Sequence, residues 1–89
     1  MPTENPTLRN IGKTTLSRLY EIGIFSRADI ARLGVVETYR RLKRTFPRQV
    51  TLNALWGLEA ALLDIDWRVI PDERKEELKA ELAVLEQSS

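Results

Sequence analysis

Residues 8–16 read Leu-Arg-Asn-Ile-Gly-Lys-Thr-Thr-Leu, a tight turn feeding straight into a helix, and they are the part of this chain best suited to binding chemistry. The backbone N–H groups of Lys13, Thr14 and Thr15 fall ahead of the intrahelical ladder, at the positive end of a helix dipole. Such an end suits a phosphate oxygen. In that reading Gly12 admits the phosphate, the amides of Lys13, Thr14 and Thr15 bind it, and Lys13 adds charge. The same residues serve equally as a plain helix start capped by water and side chains, and both readings stay open.

A second group is cationic. Arg40, Arg41, Lys43 and Arg44, with Arg48 just beyond, could neutralise several phosphates and give salt-sensitive affinity without sequence choice. The alternative is a solvated helix face. Tyr39, Phe46 and Trp56 sit at helical spacings that point to a core rather than to base stacking, whereas Trp67 lies in a connector and reads as an anchor between the fourth and fifth helices. Asp64 and Asp66 read as caps, because catalytic carboxylates need a cleft that shifts their pKa values. Glu59 stands alone in an apolar segment and calls for a cation, with Arg40, Arg41 or Arg68 as candidates for a structural ion pair.

Composition narrows the chemistry. The 89 residues include no cysteine and no histidine, which removes disulfides, the usual zinc sites, and thiol or imidazole catalysis. No aspartate-rich loop has EF-hand spacing. We therefore expect a non-enzyme with no metal and no cofactor. The start lacks the basic segment and apolar run of a signal peptide. No apolar stretch approaches the roughly 20 residues of a membrane span, so the expectation is a cytoplasmic protein without membrane contact. Charge is segregated along the chain. Residues 1–50 hold ten Lys/Arg against four acids, a net of +6, and residues 51–89 hold four against nine, a net of −5, which together give the +1 of the whole. That asymmetry implies a basic face and an acidic last helix, or two surfaces that meet within one molecule or between two copies.

The elements that must position these groups are helical throughout. Residues 1–7, with two prolines, form an arm, 8–86 a single domain and 87–89 a tail. Helix one covers about Lys13 to Glu21, with Leu16, Leu19 and Tyr20 on one face and Gly23 as its C-terminal cap. Ser26-Arg27-Ala28-Asp29 has the form of a capping box for helix two, about Arg27 to Leu33, which buries Ala28, Ile30, Ala31 and Leu33. Helix three follows Gly34, from about Val35 to Thr45, with Val35, Tyr39, Leu42 and Phe46 as its inward stripe. Pro47 ends it. Thr51 caps helix four, about Leu52 to Leu63, which is apolar nearly all round and so reads as the central buried helix. Pro71, Asp72 and Glu73 open helix five, which runs to about Glu86 and buries Leu78, Leu82 and Leu85. The fold class is a compact all-α, five-helix domain of helix-hairpin-helix or SAM-like type.

From Leu8 to about Leu82 the chain resembles the C-terminal domain of TfoX-type proteins, regulators of bacterial natural competence. The resemblance rests on Leu8-Arg9-Asn10-Ile11-Gly12, Gly23-Ile24, Asp29-Ile30, Leu33-Gly34, Tyr39-Arg40-Arg41-Leu42-Lys43, Leu52-Asn53, Leu58-Glu59, Trp67, and Pro71 with Glu73-Arg74-Lys75 before Leu78. Locally, Ile11 to Ile24 is also similar to a helix-hairpin-helix element, a family whose Gly-hydrophobic-Gly turn grips a DNA backbone. Here Asn10 replaces the first glycine, a residue type that tolerates the left-handed conformation. Longer TfoX-type proteins carry a further N-terminal domain, so the resemblance implies a lone or accessory regulatory module. The expected partner is a DNA backbone or an acidic protein, met through Gly12, Lys13, Thr14, Arg40, Arg41, Lys43 and Arg44. The rival is self-association through complementary basic and acidic halves, with the protein a monomer or a homodimer.

Overall fold

The computed structural model describes residues 11–88. Its elements are α1 (Lys13–Glu21), α2 (Arg27–Leu33), α3 (Val35–Thr45), α4 (Leu52–Leu63), a 3-10 turn (Trp67–Val69) and α5 (Asp72–Ser88), with no strand among the described residues. The expected bounds of the first four helices are met, and α5 runs two residues past the expected Glu86, to Ser88. The arm and Asn10 lie outside the described residues.

Local chemistry sets each boundary. At the end of α1 the Ile24 N–H donates to the Leu19 carbonyl (2.9 Å) and the Gly23 N–H to that of Tyr20 (3.1 Å). These paired bonds form a Schellman motif, and Gly23 supplies the positive φ of 86° that it demands. The flanking side chains, Leu19 and Ile24, are both buried, so the cap is closed by an apolar contact as well. The capping box of α2 also forms. The Asp29 N–H donates to Ser26 Oγ (3.3 Å), and the Asp29 carboxylate accepts from the Phe25 N–H (2.8 Å), one residue earlier than the usual reciprocal bond. Gly34, at φ 98°, both ends α2 and starts α3.

One expected capping bond is missing, and one expected cap takes the left-handed conformation. Thr51 occupies the N-cap of α4, but its hydroxyl makes no capping bond. At the other end of α4, Asp64 adopts the left-handed conformation usually left to glycine, and the Ile65 N–H donates to the Ala60 carbonyl (3.0 Å). The connector that follows holds the 3-10 turn, capped by the Asp66 carboxylate on the Arg68 N–H (2.9 Å), so Asp66 is a cap as expected.

α4 is the hub. Leu55, Gly57, Leu58, Glu59, Ala60 and Ala61 are all buried on it, and α3 lies along it with Val35, Val36, Thr38, Tyr39 and Leu42 turned inward. α2 touches both, α5 crosses onto α3, and the 3-10 turn folds back on α4. Each fully buried leucine of this core is worth roughly 1.5–3 kcal/mol. The small buried residues of α4 let neighbours approach closely, while its ends, Leu52 and Leu63, are exposed. Three expectations about faces need correction. Ala28 and Ala31 are exposed, so α2 is held by Ile30 and by the half-buried Leu33. Tyr20 turns outward and meets the exposed Phe25, ring centroids 5.6 Å apart. Trp67 is exposed rather than clamped between helices.

Candidate functional site

The surface begins at the start of α1. Gly12 is its N-cap, and the first helical bond runs from the Leu16 N–H to the Gly12 carbonyl (2.9 Å), leaving the amides of Lys13, Thr14 and Thr15 ahead of the ladder. Among the described residues no side chain caps this end, and Gly12, Lys13 and Thr14 are all exposed. Gly12 has an ordinary extended φ of −77°, and a Cβ built there would meet nothing within 4 Å. Its backbone therefore has no steric need of glycine.

The basic run on α3 is divided by the structure. The Arg40 guanidinium, 15% exposed, donates to Glu37 Oε1 (3.1 Å), and that of Arg41, 47% exposed, to Glu37 Oε2 (3.3 Å). Lys43 is committed to the backbone. Its ammonium donates to the carbonyls of Pro47 (2.9 Å) and Val50 (2.7 Å), tying down the loop between α3 and α4. Arg44 is exposed and forms no ion pair among the described residues.

Three grooves separate these groups. Arg40, Lys43 and Arg44 share one of about 420 Å³, which Glu86 from the last turn of α5 also lines. Arg41 lines another at the junction of α1, α2 and α3, beside Ile22, Leu33 and the ion pair of Arg32 with Asp29. A third, about 210 Å³, lies between α1 and the N-terminus of α4, with Thr15, Arg18, Gln49 and Asn53 among its walls. Gly12, Lys13 and Thr14 line none of the three. Arg40, Lys43 and Arg44 are thus brought together, while Arg41 and the α1 turn are not part of that cluster.

Glu59 finds its cation elsewhere than expected. The partner is Arg74 on α5, donating from Nε to Oε2 (2.7 Å) and from a terminal nitrogen to Oε1 (3.5 Å), not Arg40, Arg41 or Arg68. That bond to Glu59, then the one to Glu77, holds the guanidinium above its ordinary pKa. Arg68 is bound instead to Asp66. Sequence reasoning also passed over Glu86. The signal available was its place, an acid in the last turn of a helix that has no base there.

Two cations rest on rings. Arg18 lies 5.6 Å from the centroid of Phe46, and Lys75 lies 5.6 Å from that of Trp56. Both aromatics also pack half-buried against the core. Among the described residues no cluster of three or more acids could hold a metal ion, and no helix is long and apolar enough to cross a membrane.

Fold and surface together define a small helical domain whose recognisable chemistry is charge display on a packed scaffold. The chain belongs to the TfoX C-terminal domain family, whose model matches residues 2–82. It is also similar to an uncharacterized protein from Listeria monocytogenes known from a crystal structure, with a TM-score of 0.79, 28% identity and 94% of each chain covered. Among curated proteins no match is found.

Proposed function

We propose that this domain is a non-catalytic regulatory interaction module that meets an anionic partner, in the leading form a nucleic-acid backbone, on the basic surface of α1–α3. Membership of the TfoX C-terminal domain family supports a regulatory, competence-related role. Such a role belongs in the bacterial cytoplasm. The observation that carries the reading is the state of the cations. Lys13, Arg27, Arg44 and Arg48 are exposed and free of ion pairs among the described residues, all within the basic half of the chain. Unpaired surface cations can release phosphate counterions without first giving up an internal partner.

The test is fluorescence anisotropy with a short labelled duplex and a single strand between about 50 and 200 mM salt. Arg44→Gln and Lys13→Gln should each weaken binding about equally on every sequence and reduce the salt slope by about 1. Gly12→Ala, which meets no steric obstacle, should weaken binding only if a phosphate approaches that backbone. Failure of either probe to bind at low salt refutes the nucleic-acid form. The second reading, self-association, is favoured by the exposed acids Asp72, Glu73, Glu76, Glu77 and Glu81 of α5. A salt-sensitive dimer in sedimentation, with no binding to the probes, selects it.

A further inference from the structure

The groove between α3 and α5 is lined by three cations of one helix and an acid of the other. Arg40, Lys43 and Arg44 come from α3, and Glu86 closes the groove from α5. Glu37 balances Arg40 and Arg41 from within α3, and Lys43 is held by carbonyls. Among the described residues that line this groove, Glu86 is the one carboxylate.

Its position works against its own helix. The last turn of α5 contains no basic residue, and a carboxylate there opposes the helix dipole. The charge of Glu86 also reaches the buried Tyr39 on α3, where burial first and this carboxylate second raise the phenol pKa. The two halves of α5 are held differently. Its N-terminal half has the Arg74–Glu59 bond, Lys75 on Trp56 and the fully buried Leu78, while its C-terminal half packs on the core through the half-buried Leu82 and Leu85.

We propose that the last turn of α5 is a displaceable acidic clasp, with Glu86 occupying the place on the Arg40–Lys43–Arg44 groove that a partner's phosphate or carboxylate would take. The clasp is the regulation of the anion-binding surface proposed above and rests on that reading for its ligand. It lowers the affinity of the free surface and selects for polyanions dense enough to displace a single tethered carboxylate.

Two measurements decide it. The first needs no ligand: helicity of residues 83–87 from NMR backbone shifts, in the wild type and in Glu86→Gln. Relief of the dipole alone would make Glu86→Gln more helical. The clasp requires the opposite, a less helical last turn at low salt that matches the wild type in high salt, with 72–78 unchanged in both. Equal or greater helicity in Glu86→Gln overturns the clasp. The second is anisotropy with the labelled duplex, where Glu86→Gln should bind about threefold to tenfold more tightly than wild type at low salt. Binding of equal strength in the two proteins also overturns it. If the first result holds and neither protein binds duplex, the clasp stands and the nucleic-acid reading of the surface is what falls.

Discussion

Arg74 on α5 grips Glu59 on α4 through two hydrogen bonds, and this carboxylate is 3% exposed in the middle of the most apolar helix of the fold. The contact fixes where α5 crosses the hub. Arg74→Met leaves a buried charge without a partner, and removal of one member of a fully buried pair costs about 3–5 kcal/mol. Because the Arg74 side chain is 40% exposed, water can reach the site, and we expect about 2–3 kcal/mol. Glu59→Met combined with Arg74→Met should recover most of the loss, since both charges are gone. Urea unfolding of the two single variants and the double variant gives the coupling; simple additivity would show that the pair is not coupled.

The Asp29 carboxyl is held below its ordinary pKa, first by the Phe25 N–H and further by Arg32 and the Ser26 N–H, against a smaller opposing effect of desolvation. Its folded pKa lies under that of the unfolded chain. Its stabilising contribution is therefore complete above the unfolded value of about 4 and is lost as pH falls through the folded one. Asp29→Asn should flatten stability against pH in that acid range and leave it unchanged in slope near neutrality. Carboxyl NMR should find Asp29 among the last carboxylates to protonate. A midpoint at the ordinary value would contradict the capping geometry.

Lys43 and Arg44 are neighbours in sequence with opposite expected phenotypes. Lys43→Met removes a charged donor from two carbonyls, and a hydrogen bond to a charged group is worth about 1.5–3 kcal/mol. We expect a loss of about 1–2 kcal/mol, reduced because Lys43 is only half-buried and Pro47 is exposed to water. Arg44→Met should stay within about 0.5 kcal/mol of the wild type, as surface substitutions do. Thermal melts of the pair are sufficient, and equal melting temperatures would remove the structural role given to Lys43.

Asp64 ends α4 at φ 58°, a conformation that glycine adopts without a Cβ penalty. Its carboxylate also sits at the negative end of the helix dipole. Asp64→Gly should raise stability by about 0.5–1 kcal/mol, and Asp64→Ala, which keeps the Cβ, should not. Denaturant midpoints check the order of the three proteins.

Boundaries in this fold are written in punctuation. Gly23, Gly34, Pro47 and Pro71 flank every helix, and their effects are local, so α1 to α4 begin and end where their sequence says. The burial of α4 was likewise legible, because a segment apolar on all sides has no solvent face to offer. What depends on how helices cross was not legible. Arg74 is fifteen residues from Glu59, and nothing in either segment fixes the angle that joins them. Lys43 reads as one of four equivalent cations until the course of the 46–51 loop brings two carbonyls to its ammonium. Exposure of Ala28, Ala31 and Trp67 has the same origin, since small or large apolar residues near helix ends are inward or outward according to their neighbours.

One residue, Gly34, donates its N–H to Ile30 to finish α2 and accepts from the Thr38 N–H and hydroxyl to begin α3. With no spare linker between them, the two helices form a rigid elbow. α2 also packs on both α3 and α4, so this corner is held by its neighbours as well as by these bonds. Lengthening of the chain by insertion is correspondingly suited to the 46–51 and 64–71 connections, and unsuited to this corner.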